Sequence, residues 1–199
     1  MPQDHGNFPD QSRVALLLID VINDLNFPQA DMLMRQALPM AAKLAVLRRR
    51  AEQSGMATIY VNDNFGRWKS DFRQTVEHCT SDASRGAAIS RQLIPEENDY
   101  FVLKPMHSGF YSTTLDVLLE HLQVDTLILT GIATNICVLF TANDAYMRGY
   151  NLYVPRDCVA ANTEKESEYS LNAMQNVLKA DTRPSTELEL DHLAIRGDD

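Results

Sequence analysis

Two uninterrupted apolar runs restrict what this chain can fold into. Val14 to Ile19 reads VALLLI and Thr126 to Thr130 reads TLILT, without the alternation of polar and apolar residues that marks a strand with one solvent face. Runs of this kind are typical of strands buried on both faces, as in a parallel sheet covered by helices. The sequence therefore favours a sheet held between two helical layers.

Shorter strands and helical segments alternate along the rest of the chain. We expect further strands at 57–62, 100–103, 151–155 and 186–190. We expect helices at 31–54 with a break at Pro39, at 87–93, around 115–122, from 135 to 149, and after a capping box at Thr163 and Glu166. Residues 63–86 show no clear period apart from a short helical turn at 75–78, and their aromatic and basic residues suggest a packed lid. This order predicts a three-layer α/β/α, Rossmann-like fold with a six-stranded, largely parallel sheet, in one domain of residues 1–199 whose core spans about 13–191.

Composition limits the partners that this chain can have. Its 18 Lys and Arg against 27 Asp and Glu give a net charge of -9, which disfavours nucleic acid and anionic membrane surfaces. The longest apolar run near the start, Val14 to Ile19, is far shorter than the roughly 20 residues that span a bilayer, and the polar leader lacks a signal-peptide layout. We therefore expect a soluble cytoplasmic protein whose partners include neither nucleic acid nor a membrane.

Cys137 lies where the second apolar run gives way to a helical pattern. A strand, the turn Gly131 to Thr134 and a helix capped by Thr134 or Asn135 would place this cysteine in the first helical turn. Free amides and the helix dipole can lower a cysteine pKa from about 8.5 at such a position, so we expect a reactive thiolate. Inert core packing is the alternative for a lone cysteine in an apolar segment. The other two cysteines, Cys79 and Cys158, have no CxxC spacing and are interpreted as structural.

Asp20 and Lys104 stand at the predicted ends of two other strands. Parallel sheets bind ligands beyond the carboxyl ends of their strands, so these two residues and Cys137 can meet there. Together they fit attack on an amide, with Cys137 as nucleophile, Asp20 as the group that takes and returns a proton, and Lys104 favouring the thiolate. The backbone amides of Ala133 and Cys137 are candidates for the oxyanion hole. Singly, Asp20 is also compatible with a loop cap and Lys104 with a solvated strand end.

Three separated motifs closely resemble one enzyme family. They are LIDVIND at Leu18 to Asp24, KPMHSGF at Lys104 to Phe110, and GIATNIC at Gly131 to Cys137. The chain resembles the isochorismatase-like cysteine hydrolases, which include nicotinamidases, N-carbamoylsarcosine amidases and ureidoacrylate hydrolases. The resemblance runs in order from Val14 to Leu190.

The resemblance implies a catalytic triad of Asp20, Lys104 and Cys137 and a covalent acyl intermediate. It also implies a non-proline cis peptide between Ile132 and Ala133 that aims the Ala133 amide at the oxyanion. Members of this family are commonly oligomeric, so a homodimer or homotetramer is expected.

Two departures from the family narrow the expected chemistry. Nicotinamidases bind a metal through an Asp-x-His element after the second strand, but the corresponding stretch here, Asn62 to Trp68, contains no histidine. We therefore expect no metal and no cofactor. Isochorismatases that cleave a vinyl ether lack the cysteine, so its presence favours amide chemistry. The predicted pocket residues are Phe27, Asn62, Trp68, His107 and Tyr111.

Three functional hypotheses follow from these residues. The first is a metal-independent cysteine hydrolase that cleaves a C–N bond of a small amide, ureido or carbamoyl compound. The second is a vinyl-ether hydrolase in which Asp20 is the acid and Cys137 a spectator. The third is a small-molecule binding protein without activity, because a fold alone does not establish catalysis.

Overall fold

A parallel sheet organises the protein. The computed structural model describes residues 11–64 and 71–195. The six strands in this part of the chain are β1 (Val14–Ile19), β2 (Ala57–Asp63), β3 (Tyr100–Lys104), β4 (Thr126–Ile132), β5 (Asn151–Tyr153) and β6 (Val159–Ala160). Their order is β3-β2-β1-β4-β5, and each pair is parallel. The short β6 pairs with the end of β4.

Helices cover both faces of the sheet. The helices within the described residues are α1 (Ala30–Gln53), α2 (Phe72–Thr80), α3 (Ala87–Ser90), α4 (Leu115–His121), α5 (Leu139–Met147), α6 (Glu164–Val177) and α7 (Leu190–Ala194). Leu16 and Leu18 of β1 face a cluster with residues of α1, α2, α3 and α7, whereas Leu17 and Ile19 face a cluster with α4, α5 and α6. Because both faces of β1 are buried, its sequence is apolar throughout. The predicted three-layer α/β/α fold is confirmed.

The strand predictions hold except for the last. Five predicted strands begin at the predicted residue and end within two residues of the predicted end. The strand predicted at 186–190 is wrong, because this segment forms a 3₁₀ turn at Ser185–Glu187 and then enters α7. Arg50 of α1 donates hydrogen bonds to the carbonyls of Ser185 and Leu188 at 2.7 and 2.6 Å. The Arg50 guanidinium thus occupies backbone carbonyls that would otherwise be available to bond to a neighbouring strand.

Helix α1 continues through Pro39, so the predicted break is wrong. Proline lacks the N–H that would bond to the carbonyl four residues earlier, and in a helix interior this usually bends or ends the helix. Pro39 lies on the exposed side of α1, where water can satisfy the carbonyl that it leaves free. None of the helices in the described residues has the length and apolar character needed to cross a membrane.

The segment after β2 contains more helix than predicted. The expected turn at 75–78 is part of the nine-residue helix α2, whose first turn is capped by Asp71 accepting a hydrogen bond from the Gln74 amide at 2.8 Å. Phe72 is buried and stacks on Phe101, with ring centroids 5.1 Å apart. The rest of the predicted lid, residues 65–70 with Trp68, lies outside the described residues.

Gly131 is required where β4 passes closest to β1. Its φ is +109°, and a Cβ there would lie 2.0 Å from the carbonyl oxygen of Ile19. We expect Gly131→Ala to lower the free energy of unfolding by about 4 kcal/mol or more, because backbone has to move. Gly55→Ala is the matched control, since Gly55 has φ +70° but no atom within 4 Å of the added Cβ. That control should cost only about 1 to 2 kcal/mol of conformational strain. Urea unfolding measures the loss of stability in both variants. Equal losses would show that the close approach of β4 to β1 is not the reason for glycine at position 131.

Candidate active site

Asp20, Lys104 and Cys137 converge at the carboxyl ends of the strands. Lys104 ends β3, which is two strands away from β1, and neighbouring strands are separated by about 4.8 Å. The long lysine side chain crosses the end of β2, so that its Nζ lies 2.9 Å from Asp20 Oδ2 and 3.5 Å from Cys137 Sγ. The structure therefore brings together the three residues that the sequence placed at strand ends.

Asp20 is fixed by the end of β2. Its backbone has φ +53°, its amide donates to the Val61 carbonyl at 3.0 Å, and its Oδ1 accepts from the Asp63 amide at 2.7 Å. Only 5% of Asp20 is exposed. One carboxylate oxygen thus accepts a backbone hydrogen bond, as expected for a loop cap, while the other faces the ammonium of Lys104.

Lys104 is completely buried, which excludes the solvated strand end. Its Nζ also donates to the Met106 carbonyl at 3.2 Å and lies 3.8 Å from Asp63 Oδ2. Burial lowers the pKa of this amine, but Asp20, Cys137 and Asp63 outweigh burial and hold the pKa above its usual value. Lys104 is therefore a fixed ammonium rather than a base.

Asp63 belongs to this site and was missed by the sequence analysis. It ends β2, the strand between those that carry Asp20 and Lys104. The rule that identified its two neighbours, a charged residue at the end of a buried strand, also applies to Asp63. Among residues 11–64 and 71–195, no group of three His, Cys, Asp or Glu side chains is arranged to hold a metal ion.

Cys137 lies in a wide helical turn that precedes α5. The turn, Thr134–Val138, is π-helical, and the Val138 amide bonds to the Ala133 carbonyl at 3.2 Å. The peptide between Ile132 and Ala133 is cis, as the resemblance implied. The predicted side-chain cap is wrong, since neither Thr134 nor Asn135 caps the turn. Instead, Thr134 Oγ1 lies 2.8 Å from the hydroxyl of Ser167 in α6, which ties the turn to that helix.

The Cys137 thiol does not have the lowered pKa that its place in the helix suggested. Burial and then the Asp20 carboxylate raise the pKa of Cys137 to about 12, and Lys104 offsets only part of this. Burial also raises the pKa of Asp20 above its usual value of 3.8, although Lys104 and hydrogen bonds, one of them with Cys137, oppose that shift. At neutral pH the sulfur is therefore a thiol beside the Lys104 ammonium. The expected resting thiolate is wrong.

His107 is the predicted pocket residue that the structure brings to the sulfur. Its Nδ1 lies 4.0 Å from Cys137 Sγ, and its ring packs on Phe140 with centroids 5.4 Å apart. The imidazole is exposed, so it stands at the solvent side of the thiol. This position suits a contact with a bound molecule.

Of the other predicted pocket residues, the structure corrects Asn62 alone. Phe27 and Tyr111 are 37% and 58% exposed, and their place in a pocket stays a prediction. Asn62 has no exposed surface, and its Nδ2 donates to the Ile22 carbonyl at 2.6 Å, so it holds the loop after β1 rather than facing solvent. Trp68 lies outside the described residues.

Iodoacetamide should modify Cys137 first in the native protein. Cys79 and Cys158 are completely buried, whereas Cys137 is half-buried. Burial raises the pKa of all three thiols to about 12, so access rather than thiolate content decides the order of reaction. Peptide mass spectrometry measures the labelling, and Cys137→Ser is the control that should remove the fast phase. Equally fast labelling of Cys79 would contradict the prediction that iodoacetamide reaches Cys137 more easily than Cys79.

Sequence and structure comparisons identify relatives of this chain. The Isochorismatase domain model matches residues 14–182. The isochorismatase family protein YaaI of Bacillus subtilis strain 168 is 42% identical over 167 residues, which cover 84% of this chain and 91% of that protein.

Two solved structures share the fold. The N-carbamoylsarcosine amidase of Thermoplasma acidophilum matches with a TM-score of 0.68 at 26% identity. The matched region covers 89% of this chain and 99% of the amidase chain. The pyrazinamidase/nicotinamidase of Streptococcus mutans UA159 has a TM-score of 0.67 at 27% identity, covering 85% and 99% respectively. With a matching family model over most of its length, the chain belongs to the isochorismatase family of hydrolases.

Proposed function

We propose that this protein is a metal-independent cysteine hydrolase that cleaves the C–N bond of a small amide, ureido or carbamoyl compound. The observation that carries the proposal is the position of Lys104 Nζ, 2.9 Å from the Asp20 carboxylate and 3.5 Å from the Cys137 sulfur. Two similar solved structures are named as amidases, which supports C–N chemistry. Covalent attack needs a nucleophile, a base and a charge that stabilises the ionised sulfur, and these three residues supply them.

Acylation begins with a neutral thiol. Asp20 takes the thiol proton while Sγ attacks the substrate carbonyl, and the raised pKa of Asp20 makes this carboxylate a better base than an exposed one. The Lys104 ammonium stabilises the sulfur as it becomes negative. The carbonyl oxygen, now an oxyanion, accepts hydrogen bonds from the backbone amides of Ala133 and Cys137. Asp20 then gives its proton to the leaving nitrogen, the C–N bond breaks, and an acyl group remains on Cys137.

Deacylation repeats these steps with water. Asp20 takes a proton from the water molecule as its oxygen attacks the thioester carbonyl. The C–S bond breaks, the acid is released, and Asp20 returns the proton to the sulfur. A carbamoyl or ureido substrate gives a carbamic acid at this point, which loses carbon dioxide. Both halves use one proton acceptor, so a second base is not required.

Cys137→Ala should abolish turnover while the fold is retained. We expect a panel of primary amides, ureido acids and N-carbamoyl amino acids to contain a substrate whose hydrolysis releases ammonia. Loss of the nucleophile should lower kcat at least about 10³-fold. Cys79→Ala is the matched control, because Cys79 is buried outside the site and its loss should affect stability rather than rate. Normal ammonia release by Cys137→Ala would refute the proposal.

A vinyl-ether hydrolase remains the second candidate, because the raised pKa of Asp20 also suits an acid. The pH dependence of kcat/KM separates the two readings. A C–N hydrolase needs ionised Asp20, so kcat/KM should fall as the pH drops through the Asp20 pKa, which lies above the usual 3.8. An ether hydrolase needs protonated Asp20, so kcat/KM should rise over the same interval. Asp20→Asn should abolish turnover in both cases, and turnover that kept the same pH limb would assign the titration to another group.

A further inference from the structure

One face of the nucleophile helix contacts the loop that follows Lys104. Residues 137, 141, 144 and 148 are spaced by four, three and four positions, a helical spacing that places them along one side. The loop, residues 105–114, connects β3 to α4. The contacts between this face and the loop connect the nucleophile to the residue that carries the ammonium.

Thr141 makes the most direct connection. Its side chain is completely buried, and its Oγ1 accepts a hydrogen bond from the Gly109 amide at 3.0 Å and donates one to the Cys137 carbonyl at 2.7 Å. A single hydroxyl therefore joins the backbone of the nucleophile to the backbone of the loop. A purely structural threonine in a helix needs only the second of these bonds.

Two further residues of α5 and its end hold the loop beside Gly109. Ser108 donates to the Asp144 carboxylate, and the Arg148 guanidinium lies 4.5 Å from the centre of the Phe110 ring. Gly109 packs closely against β2, since a Cβ there would lie 2.8 Å from Val61 Cγ1. The loop is thus fixed at three successive residues.

The anchored loop carries two groups that contact the reacting side chains. The Met106 carbonyl accepts a hydrogen bond from Lys104 Nζ at 3.2 Å, and His107 Nδ1 lies 4.0 Å from Cys137 Sγ. A change in the distance between loop and helix would therefore change how the ammonium and the imidazole meet the sulfur. On this geometry, and given the proposed function, we propose that Thr141 is a positioning residue that fixes the spacing between Cys137 and Lys104.

The test compares Thr141→Val, Thr141→Ala and Thr141→Ser. Valine keeps the shape and removes the hydroxyl, whereas serine keeps the hydroxyl and removes the methyl group. Thr80→Val is the matched control, because Thr80 Oγ1 makes the same type of bond, to the Val76 carbonyl at 2.7 Å, in a helix away from the site. For each variant we would measure kcat, KM, the rate of Cys137 alkylation by iodoacetamide at fixed pH, and the urea midpoint.

We expect Thr141→Val to lower kcat by roughly 10- to 100-fold with little change in KM, because small misplacements of reacting groups have effects of this size. Alkylation of Cys137 should slow as well, since the ammonium that favours the thiolate is no longer held at the sulfur. Thr141→Ser should keep both rates near those of the unmodified protein, and so should Thr80→Val.

Unchanged kcat and alkylation in Thr141→Val, with a lower urea midpoint alone, would overturn the proposal and leave Thr141 a packing residue. If the valine variant does not fold, the serine and alanine variants decide, because both lack the methyl group and differ only in the hydroxyl. Equal rates in those two would overturn the proposal. Alkylation reports on the spacing even if no panel compound is hydrolysed, so this result is independent of the proposed activity.

Discussion

The buried pair of Asp20 and Lys104 is the interaction on which the site depends. Moving two charges out of water costs several kcal/mol for each ion, and their attraction repays this only when the remaining hydrogen-bonding positions are filled. Here the Asp63 amide and the Met106 carbonyl fill them, at 2.7 and 3.2 Å. Apolar side chains of similar size would often be as stable in such a place. The charges are therefore better explained by their effect on the sulfur 3.5 Å from the ammonium than by stability.

Charge balance explains why the sulfur is neutral at rest. When Asp20 is ionised, the one ammonium already has a carboxylate partner, and a thiolate would add a second negative charge beside this buried pair. Burial and Asp20 accordingly raise the pKa of Cys137 to about 12. Ionisation becomes favourable only when Asp20 receives the proton, because the negative charge then moves to the sulfur rather than being added. In the proposed mechanism, formation of the nucleophile is therefore coupled to protonation of Asp20.

The sequence predicts most of the fold because a strand that is buried on both faces of the sheet is apolar at every position. Val14 to Ile19 is apolar at every position for this reason, and the capping box of Thr163 and Glu166 begins α6 as its local pattern indicates. The failures concern partners that are distant in sequence. Arg50 takes the carbonyls of the segment predicted as a sixth strand, and no local pattern reports that contact. The actual sixth strand, Val159–Ala160, is too short to show any period.

The same division applies to the site. Strand ends and the family resemblance were enough to select Asp20, Lys104 and Cys137. Asp20 and Cys137 come after the buried strands β1 and β4, and Lys104 ends the partly exposed strand β3. Their protonation states depend on the residues that cover them, whereas the position of Cys137 near a helix N-terminus reports only the effect of its own helix. The desolvation that outweighs it comes from the surrounding tertiary structure.

The sheet and the loops have different parts in the proposed chemistry. Asp20 and Lys104 stand at the ends of strands in a rigid parallel sheet, so their spacing is set by strand order and register. His107 lies on a loop and reaches the sulfur from the solvent side. An exposed side chain on a loop can be exchanged without disturbing the strand and helix that the loop connects. The base and the ammonium would thus be positioned by the sheet, whereas the choice among amide, ureido and carbamoyl compounds would be determined by side chains such as His107.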